Sequence, residues 1–117
     1  MEITGLFANA KVTIELAPGD VLFRVNDPAT AMFGVISGEI ELRKGDRRVT
    51  TVGPNGVFGE LALVDSSPRS LDAVATQDTV LASIDRRLFL FLITETPMFA
   101  LQVMTSMANR LRELTPA

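Results

Sequence analysis

The sequence predicts a mainly β fold closed by two α-helices, and three observations predict it. Turn signals rich in glycine and proline recur about every eight to twelve residues through the first two thirds of the chain. The segments between them are strand-length and alternate apolar with polar residues or run apolar. No helical period appears before Asp85. That pattern describes a β-sandwich, roll or barrel, and it disfavours folds that interleave helices with strands.

The elements follow in order. Residues 12–16 alternate, and Ala17-Pro18-Gly19-Asp20 makes a turn. Residues 21–25 form a second strand, closed by Asn26-Asp27-Pro28, and residues 31–36 a third, more buried one. After Gly38, residues 39–43 place Ile40 and Leu42 on one face and Glu39 and Glu41 on the other. Lys44-Gly45-Asp46-Arg47 is a hairpin signal, from which residues 48–52 return to the turn Gly53-Pro54-Asn55-Gly56. An irregular stretch precedes two further short strands over 73–76 and 80–84.

Asp85 is a good N-cap for a helix running to Glu95. Thr96-Pro97 restarts a helix, with proline at its first position, and Pro116 ends it. Within it, Leu101, Met104, Ala108 and Leu111 form one stripe. The stripe is expected to pack on the β fold, with a homodimer seam or a partner surface as the second reading. Met32, Met98, Met104 and Met107 are expected to fill core gaps, and the Arg86-Arg87 pair to be a solvated helix start. No internal repeat or linker is visible, so the expectation is a single domain over 1–117, with the β portion at about 12–84 and the helices at about 85–114.

Composition excludes several function classes. At 117 residues and 47% hydrophobic, the chain can bury a core. Eleven basic against fourteen acidic residues give a net charge of −3, and the basic residues are scattered. Nucleic acid and anionic membrane are therefore poor candidate partners. There is no cysteine, hence no disulfide or thiol chemistry, and no histidine, the commonest metal ligand and general base. No metal, no cofactor and no catalytic residue are expected. The longest apolar run, residues 88–93, is far too short for a membrane span, and no secretion signal opens the chain. The default expectation is a soluble, cytoplasmic protein.

The informative segment is Phe58-Gly59-Glu60-Leu61-Ala62-Leu63-Val64-Asp65-Ser66-Ser67-Pro68-Arg69-Ser70. Gly59 lets the backbone approach a ligand closely, and residues 60–63 can form one helical turn whose leading amides favour a phosphate. Pro68 holds Ser67 extended. Arg69 supplies a planar, permanently charged fork suited to phosphate oxygens, with the Ser70 hydroxyl beside it. A carboxylate at Glu60 repels a bare phosphate but suits a sugar phosphate, where it accepts a hydrogen bond from a ribose hydroxyl.

Phe58-Gly59-Glu60-Leu61-Ala62-Leu63 followed by Pro68-Arg69-Ser70 closely resembles the phosphate-binding cassette of the cyclic-nucleotide-binding domain family. The resemblance extends upstream through Pro18-Gly19-Asp20-Val21-Leu22-Phe23, Asp27-Pro28-Ala29, Met32-Phe33 and Ser37-Gly38-Glu39-Ile40. Downstream it takes in Ile84-Asp85-Arg86 and the closing helices, so it covers about residues 12–114. It implies a double-stranded β-helix, a jelly-roll-like β-roll, with flanking C-terminal helices. The implied ligand is cAMP or cGMP, bound by Phe58, Gly59, Glu60, Leu61, Ala62, Pro68, Arg69 and Ser70. Glu60 would take the ribose 2′-hydroxyl and Arg69 the cyclic phosphate. Amides around Gly59 and Ala62, with the Ser70 hydroxyl, would complete the cage.

The chain departs from the family pattern at Asn26, where glycine is usual, and at Leu71-Asp72, where a small residue and Ser or Thr are usual. A carboxylate at 72 opposes the phosphate if it points into the site and is harmless if it points to solvent. The N-terminal helical region is shorter than usual. The chain opens with Met1 and has no helix-turn-helix after Leu114, so a stand-alone sensor is expected ahead of a piece of a larger regulator. A relative with a degenerate site, acting as a protein-interaction module, is the main alternative; a jelly-roll enzyme ranks last.

Overall fold

The structure, a computed structural model, describes residues 11–114. Eight strands and three helices occur in the order β1 (Thr13–Leu16), β2 (Val21–Phe23), β3 (Ala31–Ser37), β4 (Ile40–Lys44), β5 (Arg47–Val52), β6 (Val57–Phe58), α1 (Leu61–Val64), β7 (Asp72–Ala75), β8 (Thr79–Asp85), α2 (Arg86–Glu95) and α3 (Pro97–Leu114). The strands form two four-stranded sheets, β1-β8-β3-β6 and β2-β7-β4-β5. Every pairing is antiparallel. This is the expected β-roll with C-terminal helices.

The two sheets face each other across a core that includes Phe33, Val35, Ile40, Leu42 and Leu81. Phe23, Phe33 and Phe58 cluster at its centre, with ring centroids 5.5–6.2 Å apart. A second core, with Met32, Ala82, Ile84, Phe99 and Val103, lies between the other face of the β8-β3 pair and the helices. That two-sided burial explains the near-continuous apolar run of β3. Phe33 and Val35 point into the sandwich, and Met32 and Ile36 point to the helices.

Three expectations need correction. The second strand ends at Phe23 rather than at residue 25, because Arg24 and Asp27 close a turn on each other. In that turn Asn26 sits at φ 73°, a left-handed conformation that asparagine tolerates. The Leu101, Met104, Leu111 stripe is not core: these residues are 51%, 56% and 67% exposed. Helix α3 is apolar on two sides, and the side it buries is Phe99, Val103 and Met107. Of the four methionines expected to fill the core, only Met32 is fully buried.

Among the described residues no single helix is long and apolar enough to cross a membrane. The expected N-terminal helical region and Pro116 lie outside the described residues.

Candidate ligand-binding site

Strand β6 delivers the chain to Gly59, which adopts φ +78°. A side chain there would be strained, and its Cβ would lie 2.8 Å from Nη1 of Arg69. Glu60 follows as the residue capping α1, a single turn. The segment then reverses at Ser66, φ 59°, where the Ser67 hydroxyl and amide both donate to Oδ1 of Asp65. Those bonds, the hydroxyl first, hold the Asp65 carboxyl below its ordinary value of 3.8. Pro68 then carries the chain to Arg69 and β7.

Arg69 is only 8% exposed. Its guanidinium donates from Nη2 to the Ala31 carbonyl at 2.7 Å and from Nη1 to the Gly59 carbonyl at 3.3 Å. Its plane rides over Phe23, 4.2 Å from the ring centroid, with Phe33 at 5.4 Å. Nε is buried without a hydrogen-bond partner. Burial pulls the Arg69 pKa below its usual value, with Asp27 opposing the shift. No carboxylate lies within ion-pair distance of this cation among the described residues.

The Arg69 backbone is stitched to the β2–β3 turn. Its amide donates to the Asp27 carbonyl at 3.0 Å, and its carbonyl accepts from the Asn26 amide at 2.8 Å. Asp72 completes the seam, its Oδ1 accepting from the Val25 amide at 2.8 Å. Asp72 is therefore committed to the turn, and it does not line the cavity described next.

Glu60 is 2% exposed. Its Oε1 accepts from Nη2 of Arg110 at 2.6 Å and from Oγ of Ser106 at 2.5 Å, both on α3. The same Arg110 nitrogen donates to Ser106 Oγ at 2.6 Å, closing a three-residue ring. Arg86 is exposed, as expected of a solvated helix start, and it also donates from Nη2 to the Leu63 carbonyl at 2.8 Å, so α1 is held from α2 as well.

Between α1, the 67–71 segment and α3 lies a cavity of about 360 Å³. Gly59, Glu60, Leu61, Ala62, Pro68, Arg69 and Ser70 all line it, while Phe58 sits behind it in the aromatic cluster. The Ala62 amide, expected to face a ligand, donates to the Gly59 carbonyl at 3.3 Å. The remaining wall is apolar, with Leu42, Leu71, Met107 and Leu111. The arrangement offers one uncompensated buried cation, one helix-held carboxylate and a greasy wall. No cluster of three or more potential metal ligands occurs among the described residues.

The cyclic nucleotide-binding domain profile matches residues 13–96, well over half of the chain. The chain belongs to the cyclic nucleotide-binding domain family. The cyclic AMP receptor protein of Thermus thermophilus is 35% identical to this domain over 100 residues, covering 81% of this chain and 46% of that protein. A cAMP-dependent protein kinase regulatory subunit of Hypocrea atroviridis is 34% identical over 82 residues, covering 70% of this chain and 18% of that protein. The domain thus spans less than half the length of either. A structure solved for a cyclic-GMP-dependent signalling pathway that regulates bacterial phytopathogenesis superposes with a TM-score of 0.77 at 30% identity. It covers 96% of this chain and 95% of that one.

Sequence reasoning missed Ser106 and Arg110, which stand one helical turn apart on α3 and beyond the matched residues. The only signal was a polar pair at i and i+4, which the neighbouring Gln102, Thr105, Asn109, Arg112 and Glu113 of the same helix make indistinguishable from ordinary helix surface.

Proposed function

We propose that this cyclic nucleotide-binding domain is a regulatory sensor that takes up cAMP or cGMP in the cavity between the 59–70 segment and α3. The observation that carries the reading is Arg69. A desolvated guanidinium whose polar partners are two neutral carbonyls is costly unless an anion arrives to neutralise it. The cyclic phosphate is that anion, with the Ser70 hydroxyl and the amides leading α1 completing the cage. Glu60 accepts from the ribose 2′-hydroxyl, and the apolar wall receives the purine. The curated relatives support a cyclic nucleotide as ligand class, and their names span both bases between them and the solved neighbour.

The domain acts by binding, without catalytic chemistry of its own, as one unit over 1–117 in the cytoplasm. The exposed Leu101, Met104 and Leu111 face of α3 is where a protein partner or a second copy reads the state of the helix. Isothermal titration with cAMP and cGMP tests the reading. The wild-type chain is expected to bind at least one of them, and Arg69→Ala to weaken it at least tenfold, since a charge-assisted hydrogen bond contributes about 1.5–3 kcal/mol. Binding that survives Arg69→Ala unchanged, or no binding by the wild type, would sink it. The second outcome favours a protein-interaction module that has kept the fold.

A further inference from the structure

The buried cation of the site rests on an aromatic ring. Two carbonyls tie Nη1 and Nη2 of Arg69, and Nε has no partner. Two such bonds leave the fork free to tilt about the line that joins them. The Phe23 ring closes one side of that tilt, its centroid 4.2 Å from Cζ, with Phe33 beside it at 5.4 Å. The negative face of a ring also attracts a guanidinium, and more strongly where water is excluded. A carboxylate in the same place would pair with Arg69 and compete with an incoming anion. The ring stabilises the cation and leaves its charge and its Nε donor for a ligand.

The chain delivers the ring to this place. Phe23 ends β2 at a register shift against β7 between Val21 and Phe23, the kind of irregularity that re-aims a side chain, and it lines the cavity. The turn that follows bonds the Arg69 backbone on both sides, through Asn26 and Asp27, so one segment carries ring and guanidinium together. We propose that Phe23 is a positioning residue that holds the Arg69 fork in the cavity before an anionic ligand arrives. The inference rests on the cyclic-nucleotide reading and adds to that site a residue from outside the 58–70 segment. Its contribution is preorganisation: without the ring the fork leaves its cradle and has to be ordered again on binding.

The test is calorimetry with cAMP and cGMP on the full chain carrying Phe23→Leu, in the wild-type and Arg69→Ala backgrounds. Phe23→Leu is expected to weaken binding about fivefold when Arg69 is present, and about twofold or less in the Arg69→Ala background. A trifluorinated phenylalanine at position 23 keeps the shape of the ring and withdraws its negative face. It is expected to weaken binding about threefold, and it decides the matter if Phe23→Leu does not fold. Side-chain NMR relaxation of the nucleotide-free chain is expected to show a rigid Arg69 Nε–H in the wild type and a mobile one in either variant. Equal weakening in both backgrounds, as ordinary core damage would give, unchanged affinity in the folded variants, or an equally rigid Arg69 without the ring would overturn the inference. Absence of binding by the wild type to both nucleotides would instead overturn the parent reading, and this inference with it.

Discussion

At the scale of the residue, the site is organised by what each side chain is denied. Arg69 has a rigid cradle and no counter-charge, and Gly59 is part of that cradle. Gly59→Ala meets a strained left-handed backbone, costing about 1–2 kcal/mol, and sets a methyl 2.8 Å from Nη1 of Arg69. The expected result is a melting temperature several degrees lower together with weaker nucleotide binding. Loss of stability with intact affinity would show that the Arg69 fork tolerates displacement.

Asp72 illustrates what the sequence left open. Its distance from Arg69 along the chain says nothing about its direction. The answer depends on a hydrogen bond to Val25, 47 residues away. Because the carboxylate serves the turn, Asp72→Ala is expected to destabilise by about 1 kcal/mol without strengthening nucleotide binding. Chemical denaturation and calorimetry read the two effects. A gain in affinity would mean that Asp72 opposes the phosphate after all. The cassette residues themselves were legible because Gly, Pro and Arg each carry a local constraint that no other residue supplies.

At the scale of the element, strands were legible from their turns and helices from their caps. Asp85 accepts from the Leu88 amide at 2.9 Å, as an N-cap should. Strand β6 was invisible because two residues carry no period. The facing of α3 was misread because two apolar stripes compete on one helix, and which one is buried is decided by the sheet it meets. Phe99, fully buried, anchors that contact. Phe99→Ala should cost about 3–5 kcal/mol, whereas Leu101→Ala or Leu111→Ala in the isolated chain should stay within about 0.5 kcal/mol.

The reversal after α1 has a pH signature. The folded Asp65 carboxyl lies below 3.8, so its bonds to Ser67 support the fold above that value and are lost as pH falls through the lower, folded value. A carboxyl titration by NMR should give a midpoint below 3.8 that returns toward 3.8 in Ser67→Ala. A midpoint already at 3.8 in the wild type would contradict the turn.

At the scale of the whole molecule, two sheets hold the aromatic cluster that backs Arg69, and the helices cover the outer face of one sheet and reach back to Glu60. The fold class was readable because turn spacing is a local property repeated many times. The coupling of α3 to α1 was not, because it joins residues about fifty positions apart through side chains that look like ordinary helix surface. Occupancy of the cavity can shift α3 only by the difference in nucleotide affinity between its docked and undocked arrangements.

The central claim is that the cavity holds a cyclic nucleotide through Arg69, and thermal unfolding tests it most directly. At a nucleotide concentration about 100 times the dissociation constant, binding to the folded state adds about 2.7 kcal/mol. For a domain of this size that raises the melting temperature by roughly ten degrees. The account predicts such a rise with cAMP or cGMP in the wild type and, at the same nucleotide concentration, a rise of half that or less in Arg69→Ala. An unchanged melting temperature with both nucleotides at millimolar concentration, or an equal rise in the variant, would contradict it.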